Sequence, residues 1–179
     1  MTLTKSDKAE IAQMIKDALA SKPEQQGADI DSWAGRAIKS KLAGVLIAPE
    51  DFYIVDKDGE KKTHFTYDEA MEATKDLPDG WRLPTRHEWV LIAEEFGNDP
   101  ETNNPSSQAL LNALGLGLNG FLDNDDGSLY GSGYRGHYWS STVLSSSYAY
   151  YLFIGSSEFG PSSSNLRYGG YSVRCVRDI

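Results

Sequence analysis

Between Val143 and Tyr171 the chain sets eight serines and five tyrosines beside only two charged side chains, Glu158 and Arg167. Tyrosine brings rigid area with a polar tip, while serine, glycine and asparagine bring room and adaptable hydrogen bonds, the mix used by surfaces that must meet varied partners. The chemistry such types support is noncovalent recognition. Lys, Glu, Gln, Met and Trp make up 31 of residues 1–142, yet residues 143–171 hold one of them, Glu158. Those types are the ones an AAC or AAT codon cannot reach by changing only its adenines. Serine, the commonest residue of the tract, is reached by two such routes. Adenine-directed diversification accounts for this bias, and so does a plain low-complexity Ser/Tyr loop.

Motifs that would carry other chemistry are weaker. Gly115-Leu116-Gly117-Leu118-Asn119-Gly120 matches G-x-G-x-x-G, but a predicted helix precedes it and loops follow, the reverse of a dinucleotide site. In Asp123-Asn124-Asp125-Asp126-Gly127-Ser128, counting back from the glycine puts Leu122 at the first ligand position of a calcium loop. A solvated turn is the default there, with Asp123, Asp125 and Asp126 as weak cation ligands. His87-Glu88 begins a zincin motif that Leu91 breaks. His64 and His137 have no metal-ligand spacing, and no G-x-S-x-G nucleophile elbow appears. Cys175, the one cysteine, reads as a buried small hydrophobe of a strand. Neither a catalytic residue nor a cofactor is expected.

The elements that must position the tract are legible around it. With 179 residues the chain supports one domain with a real core, and its net charge of −9 opposes binding to nucleic acid. Apolar runs such as Val45-Leu46-Ile47-Ala48 fall far short of the ~20 residues of a membrane span, so no membrane insertion is expected. Met1–Lys8 lacks the basic start and apolar core of a signal peptide. The expected location is the cytoplasm or a phage particle assembled there, with the cell surface as the other option.

Residues 4–20 have the stripe of an amphipathic helix, Ile11, Met14, Ile15, Ala18 and Leu19, which packs on the domain or pairs copies into a homo-oligomer. A polar breaker at 22–27 follows, then a predicted helix from Asp31 to Leu42 burying Trp33, Ala37 and Ile38. Phe52–Val55 reads as a strand, Asp56–Gly59 as a hairpin turn, and 63–65 as the return. Thr66-Tyr67-Asp68-Glu69 and Thr85-Arg86-His87-Glu88 are capping boxes that start two helices, the second ending at Gly97. A short helix is predicted near Gln108–Leu114, and glycine-punctuated β structure beyond it. Helices first and strands after give an α+β domain.

Gly80-Trp81-Arg82-Leu83-Pro84-Thr85-Arg86-His87-Glu88-Trp89 resembles the G-W-R-L-P-T-x-x-E-W segment of the C-type-lectin-like fold in its formylglycine-generating-enzyme branch. Tyr138–Thr142 together with Gly170–Asp178 resembles the ending of that family's bacterial paralogous domains. With the codon-like bias, the match is to the variable proteins of diversity-generating retroelements. The resemblance covers residues 50–179, with the variable region at about 143–169, and leaves 1–49 as an N-terminal helical extension. It implies an antiparallel sheet flanked by two helices, displaying hypervariable residues to a protein or cell-surface ligand. The enzyme branch works with a cysteine pair, and this chain has only Cys175.

Strand alternation assigns the faces of residues 149–155: Tyr150, Leu152 and Ile154 to the core, Tyr151, Phe153 and Gly155 to the outer face. The expected ligand-binding set adds the flanking stretches Leu144, Ser145, Ser146, Ser147 and Tyr148, and Ser162, Ser163, Ser164, Asn165 and Leu166, with Tyr168 and Gly169. Trp139, Arg167, Val173 and Val176 read as framework. The leading expectation is a diversified binding module. A fixed-specificity glycan lectin or structural surface domain is the alternative, and a formylglycine-generating-type enzyme comes third.

Overall fold

A computed structural model describes residues 27–99, 101–102 and 104–179. The expected helix at 4–20, its role in self-association and most of the breaker after it lie outside the described residues. After a 3-10 turn at Ile30–Ser32 the chain forms β1 (Ile38–Ser40), β2 (Val45–Ile47), β3 (Ile54–Val55) and β4 (Lys61–Lys62). Helix α1 (Tyr67–Thr74) follows, then a 3-10 turn at Pro78–Gly80, α2 (Arg86–Phe96) and α3 (Ser107–Leu114). The remaining elements are β5 (Phe121–Leu122), β6 (Leu129–Tyr130), β7 (Arg135–Val143), β8 (Tyr148–Gly155), β9 (Phe159–Leu166) and β10 (Val176–Asp178). Among the described residues all strand pairs in the four small sheets are antiparallel, and the architecture is α+β.

The helix expected over 31–42 is not formed. Ile38–Ser40 instead pair with Val45–Ile47 through a turn at Gly44, and β2 pairs on its other side with β10. Residues 38–47 therefore share a sheet with the last strand of the chain, across the boundary expected at residue 49. Pairing on both sides of β2 satisfies backbone groups and buries Val45 and Ile47, which outweighs the helical stripe. Trp33 is buried as expected, edge-on to Trp81 at 5.2 Å. The return strand of the first hairpin is Lys61–Lys62 rather than 63–65, because Phe65 bonds across to Tyr171 instead.

Local signals hold at the helix starts. Thr66 and Thr85 each accept the amide of the glutamate three residues on, and that glutamate reaches back to the threonine amide. Gly115 ends α3 in the left-handed region at φ 59, so the first glycine of the G-x-G-x-x-G run is a helix stop.

Two hydrophobic clusters share the interior. One gathers Trp33, Phe52, Phe65, Tyr67, Trp81, Trp139, Tyr171 and Val173; the other packs Trp89 and Ile92 of α2 with Leu110 and Leu114 of α3 against Tyr138, Leu152 and Ile154. The segment Gly169–Val176 runs buried between them, exchanging backbone bonds with Leu122, Phe65, His137, Phe52, Ala48 and Arg82. Arg174, 1% exposed, bonds Asp51 at 2.8 Å and the carbonyls of Ala48, Leu114 and Gly115 at 2.9 Å each. Asp51 also accepts from Tyr138 and Asn119. Every donor of this ionic knot has a partner facing it, the condition for a buried charge to be tolerated. No helix among the described residues is long and apolar enough to cross a membrane.

Candidate functional site

Most of the tract forms the sheet β7-β8-β9, and α2 covers one of its faces. Leu152 and Ile154 point into the α2 cluster, while Tyr150 lies half-buried under the Arg86 guanidinium at 4.7 Å. The opposite face carries Trp139 and Ala149 at one end, sealed in the other core, and opens toward the middle. There Tyr151 stands opposite Trp139 on β7 and Ser163 on β9, and Phe153 opposite His137 and Gly160. The register shift between Tyr151 and Phe153 absorbs one extra residue of β9, while alternation along β8 keeps both rings on this face.

These rings border a cleft of about 380 Å³ lined by Phe121, Arg135, His137, Tyr151, Phe153, Ser163, Asn165 and Tyr171. The rings contact one another: His137 stacks on Tyr151 with centroids 5.3 Å apart, and lies 4.8 Å from Phe121 and 5.0 Å from Tyr171. Asn165 donates to the Tyr171 hydroxyl at 2.8 Å. His137 is 6% exposed, and its Nδ1 has no hydrogen-bond partner among the described residues. Burial, helped by the nearby Arg135 charge and His64, pushes its pKa down to about 4 against the opposing Gly120 backbone. The ring is neutral at pH 7.

Of the expected contact residues, Tyr151, Phe153, Ser163 and Asn165 meet at this cleft. Leu144, Ser145, Ser146, Ser147 and Tyr148 form the turn joining β7 to β8, beside Leu166 and Tyr168. Arg167 pins that turn, donating its amide to the Ser147 carbonyl and its Nη1 to the Ser146 carbonyl, while its guanidinium pairs with Asp68 over the Tyr67 ring. Leu144, Tyr148 and Tyr168 are 50%, 42% and 64% exposed. Ser162 and Ser164 fall on the other face of β9: Ser162 bonds Arg86, and Ser164 pairs with Tyr150. Gly155 and Gly169 are buried, so they set backbone spacing and offer no side-chain surface.

Residues before the tract supply the rest of the cleft: Phe121 from β5, with Arg135 and His137 from β7. Tyr171, just past residue 169, completes it. A period-two reading of Arg135, His137 and Trp139 against the buried Tyr138 would have found two of them. Beside the cleft, sharing Phe121 and Arg135, a second hollow is lined by Asp123, Tyr130, Gly131 and Tyr134, with Tyr134 73% exposed.

The Asp123–Ser128 turn joins β5 to β6 and uses its carboxylates internally: Asp123 accepts the Asp125 amide and Asp126 the Ser128 amide. Among the described residues no group of three or more His, Cys, Asp or Glu side chains converges as a metal site would require. Cys175 is buried, and burial pushes its thiol pKa up, away from a nucleophilic thiolate. Compared with known protein families, the chain matches none, and no characterised protein is significantly similar to it.

Proposed function

We propose that the chain is a ligand-binding protein of C-type-lectin-like fold whose C-terminal sheet face is diversified by a retroelement to recognise a protein or cell-surface partner. The observation that carries the reading is the partition of the tract. Tyr151, Phe153, Ser163 and Asn165 share a cleft on the sheet face away from α2, and Leu144, Ser145, Ser146, Tyr148 and Tyr168 cluster exposed at its end. The alternating core positions Leu152 and Ile154 stay fully buried on the α2 side, and Ala149 is sealed at the end of the other face. A sheet built this way accepts many residues at its contact positions without disturbing the core, as a diversified face must. The turn and sheet are meanwhile held by Arg167, Trp139 and the Gly169–Val176 segment. In place of the oxidising cysteine pair of the enzyme branch there is one buried thiol, which supports recognition over that branch's chemistry.

Sequencing the DNA flanking the gene tests the proposal. The expected finding is a reverse-transcriptase gene and a near-identical repeat of the tract, differing only where the repeat has adenine. A repeat that differs at other bases, or no repeat at all, overturns diversification and leaves a fixed-specificity lectin. The aromatic walls of the cleft, of the kind on which sugar rings stack, are the observation that favours that second reading. Retention on immobilised glycans would then be its positive sign.

A further inference from the structure

Half of the cleft's lining lies outside residues 143–169: Phe121, Arg135, His137 and Tyr171. If the tract varies, these four stay constant, so part of the socket offers the same chemistry to every partner. That constant part is aromatic on three sides, carries one guanidinium, and contains a buried imidazole whose Nδ1 is unpaired among the described residues. A buried polar atom without a partner destabilises the fold it sits in, and it persists where something outside the fold satisfies it. The ring keeps a backbone hydrogen bond with Gly120, which leaves Nδ1 as the nitrogen without a partner beside the cleft.

We propose that this cleft is a socket for one phenol-type side chain, a tyrosine of a protein partner, with its ring among Phe121, Tyr151, Phe153 and Tyr171 and its hydroxyl on His137. The socket volume of about 380 Å³ suits one ring with its substituent, near the low end of small-ligand sites. Edge-to-face and offset contacts with the surrounding rings favour an aromatic guest. The neutral imidazole accepts a hydrogen bond from the phenol hydroxyl, and Arg135 at the rim can donate to the phenol oxygen. Tyr151 and Phe153 would then tune a socket whose hydrogen-bonding base is fixed. The proposal rests on the reading of this sheet face as the ligand-binding one.

The test uses p-cresol as probe on the full chain, with toluene and a methyl hexoside as comparators, followed through the His137 ring signals by NMR. Expected are saturable p-cresol binding that shifts those signals, weaker toluene binding, and no effect of the hexoside. His137→Phe should weaken p-cresol about fivefold to tenfold, one hydrogen bond's worth, while melting no lower than the parent. Arg135→Met supplies a second variant should the first misfold. Hexoside binding in preference to p-cresol, equal affinity for toluene and p-cresol, or no probe binding would each overturn the socket. Loss of the socket alone leaves the diversified face standing if selected protein binders still map to Tyr148 and Tyr168. Binders that ignore the tract while p-cresol binds would sink the face reading and keep the socket.

Discussion

His137 makes a titration prediction that does not depend on any ligand. Its folded pKa, about 4, lies below the ordinary 6.5, so as pH falls the unfolded chain takes up the proton first. The associated stability is complete above pH 6.5 and drains away as pH drops toward 4, to a limit of roughly 3 kcal/mol. His64, whose pKa burial also lowers, acts in the same direction. Urea midpoints at pH 7, 6 and 5 should fall for the parent, and His137→Phe should flatten the part of the slope that His137 causes. Parallel profiles for the two proteins would mean that the ring is not held neutral by its surroundings. Cys175 gives a second check at this scale: a fully buried thiol with a raised pKa should react with DTNB only as fast as the protein opens. Rapid labelling of the native protein would return a nucleophile to consideration.

Each element depends on a few contacts that differ in how visible they are in the sequence. Thr85 caps α2 with a reciprocal bond to Glu88, which Arg82 also grips at 2.8 Å; Thr85→Ala should cost about 1 kcal/mol in a urea melt. Such boxes span four residues and are readable directly. The knot around Arg174 joins β10's approach, the end of α3 and Asp51, and removing one charge strands the other. Arg174→Met should therefore cost about 3–5 kcal/mol, well beyond the loss from the cap. Equal losses from the two variants would contradict that ranking. Nothing local in the sequence announces the knot, because Asp51 and Arg174 meet only after the chain has crossed the molecule. For the same reason the stripe at 31–42 pointed to a helix. Pairing of Ile38–Ser40 with β2, itself set against β10, is a property of distant segments that periodicity within a window cannot contain. The candidate site divides in the same way. Alternation along β8 separated Leu152 and Ile154 from Tyr151 and Phe153, but Phe121 and Tyr171 reach the cleft through crossings of the chain, not through spacing.

Across the whole molecule, the tract and its frame should respond oppositely to substitution. Ser145, Ser146 and Ser164 are exposed and Ser163 is half-buried at the cleft, whereas Trp89 and Trp139 are fully buried at the centres of different clusters. Trp139 also donates to the Phe65 carbonyl at 2.7 Å and stacks on Tyr171 at 4.2 Å, so it ties β7 to α1's approach and to the buried C-terminal segment. Replacing the four serines together by asparagine should leave stability within about 0.5 kcal/mol per site, because such changes neither open a cavity nor strand a buried polar group. For a chain of this size 1 kcal/mol moves the melting temperature by about 2–4 °C, so the quadruple variant should melt within several degrees of the parent. Trp139→Ala and Trp89→Ala should each cost about 3–5 kcal/mol through lost burial and the space left behind, a fall of about 6–20 °C. Calorimetric melts of the three variants measure the contrast directly. Collapse of the serine variant beside tolerant tryptophan variants would mean that residues 143–169 hold the fold together, and a surface that holds the fold together cannot also be the one left free to vary.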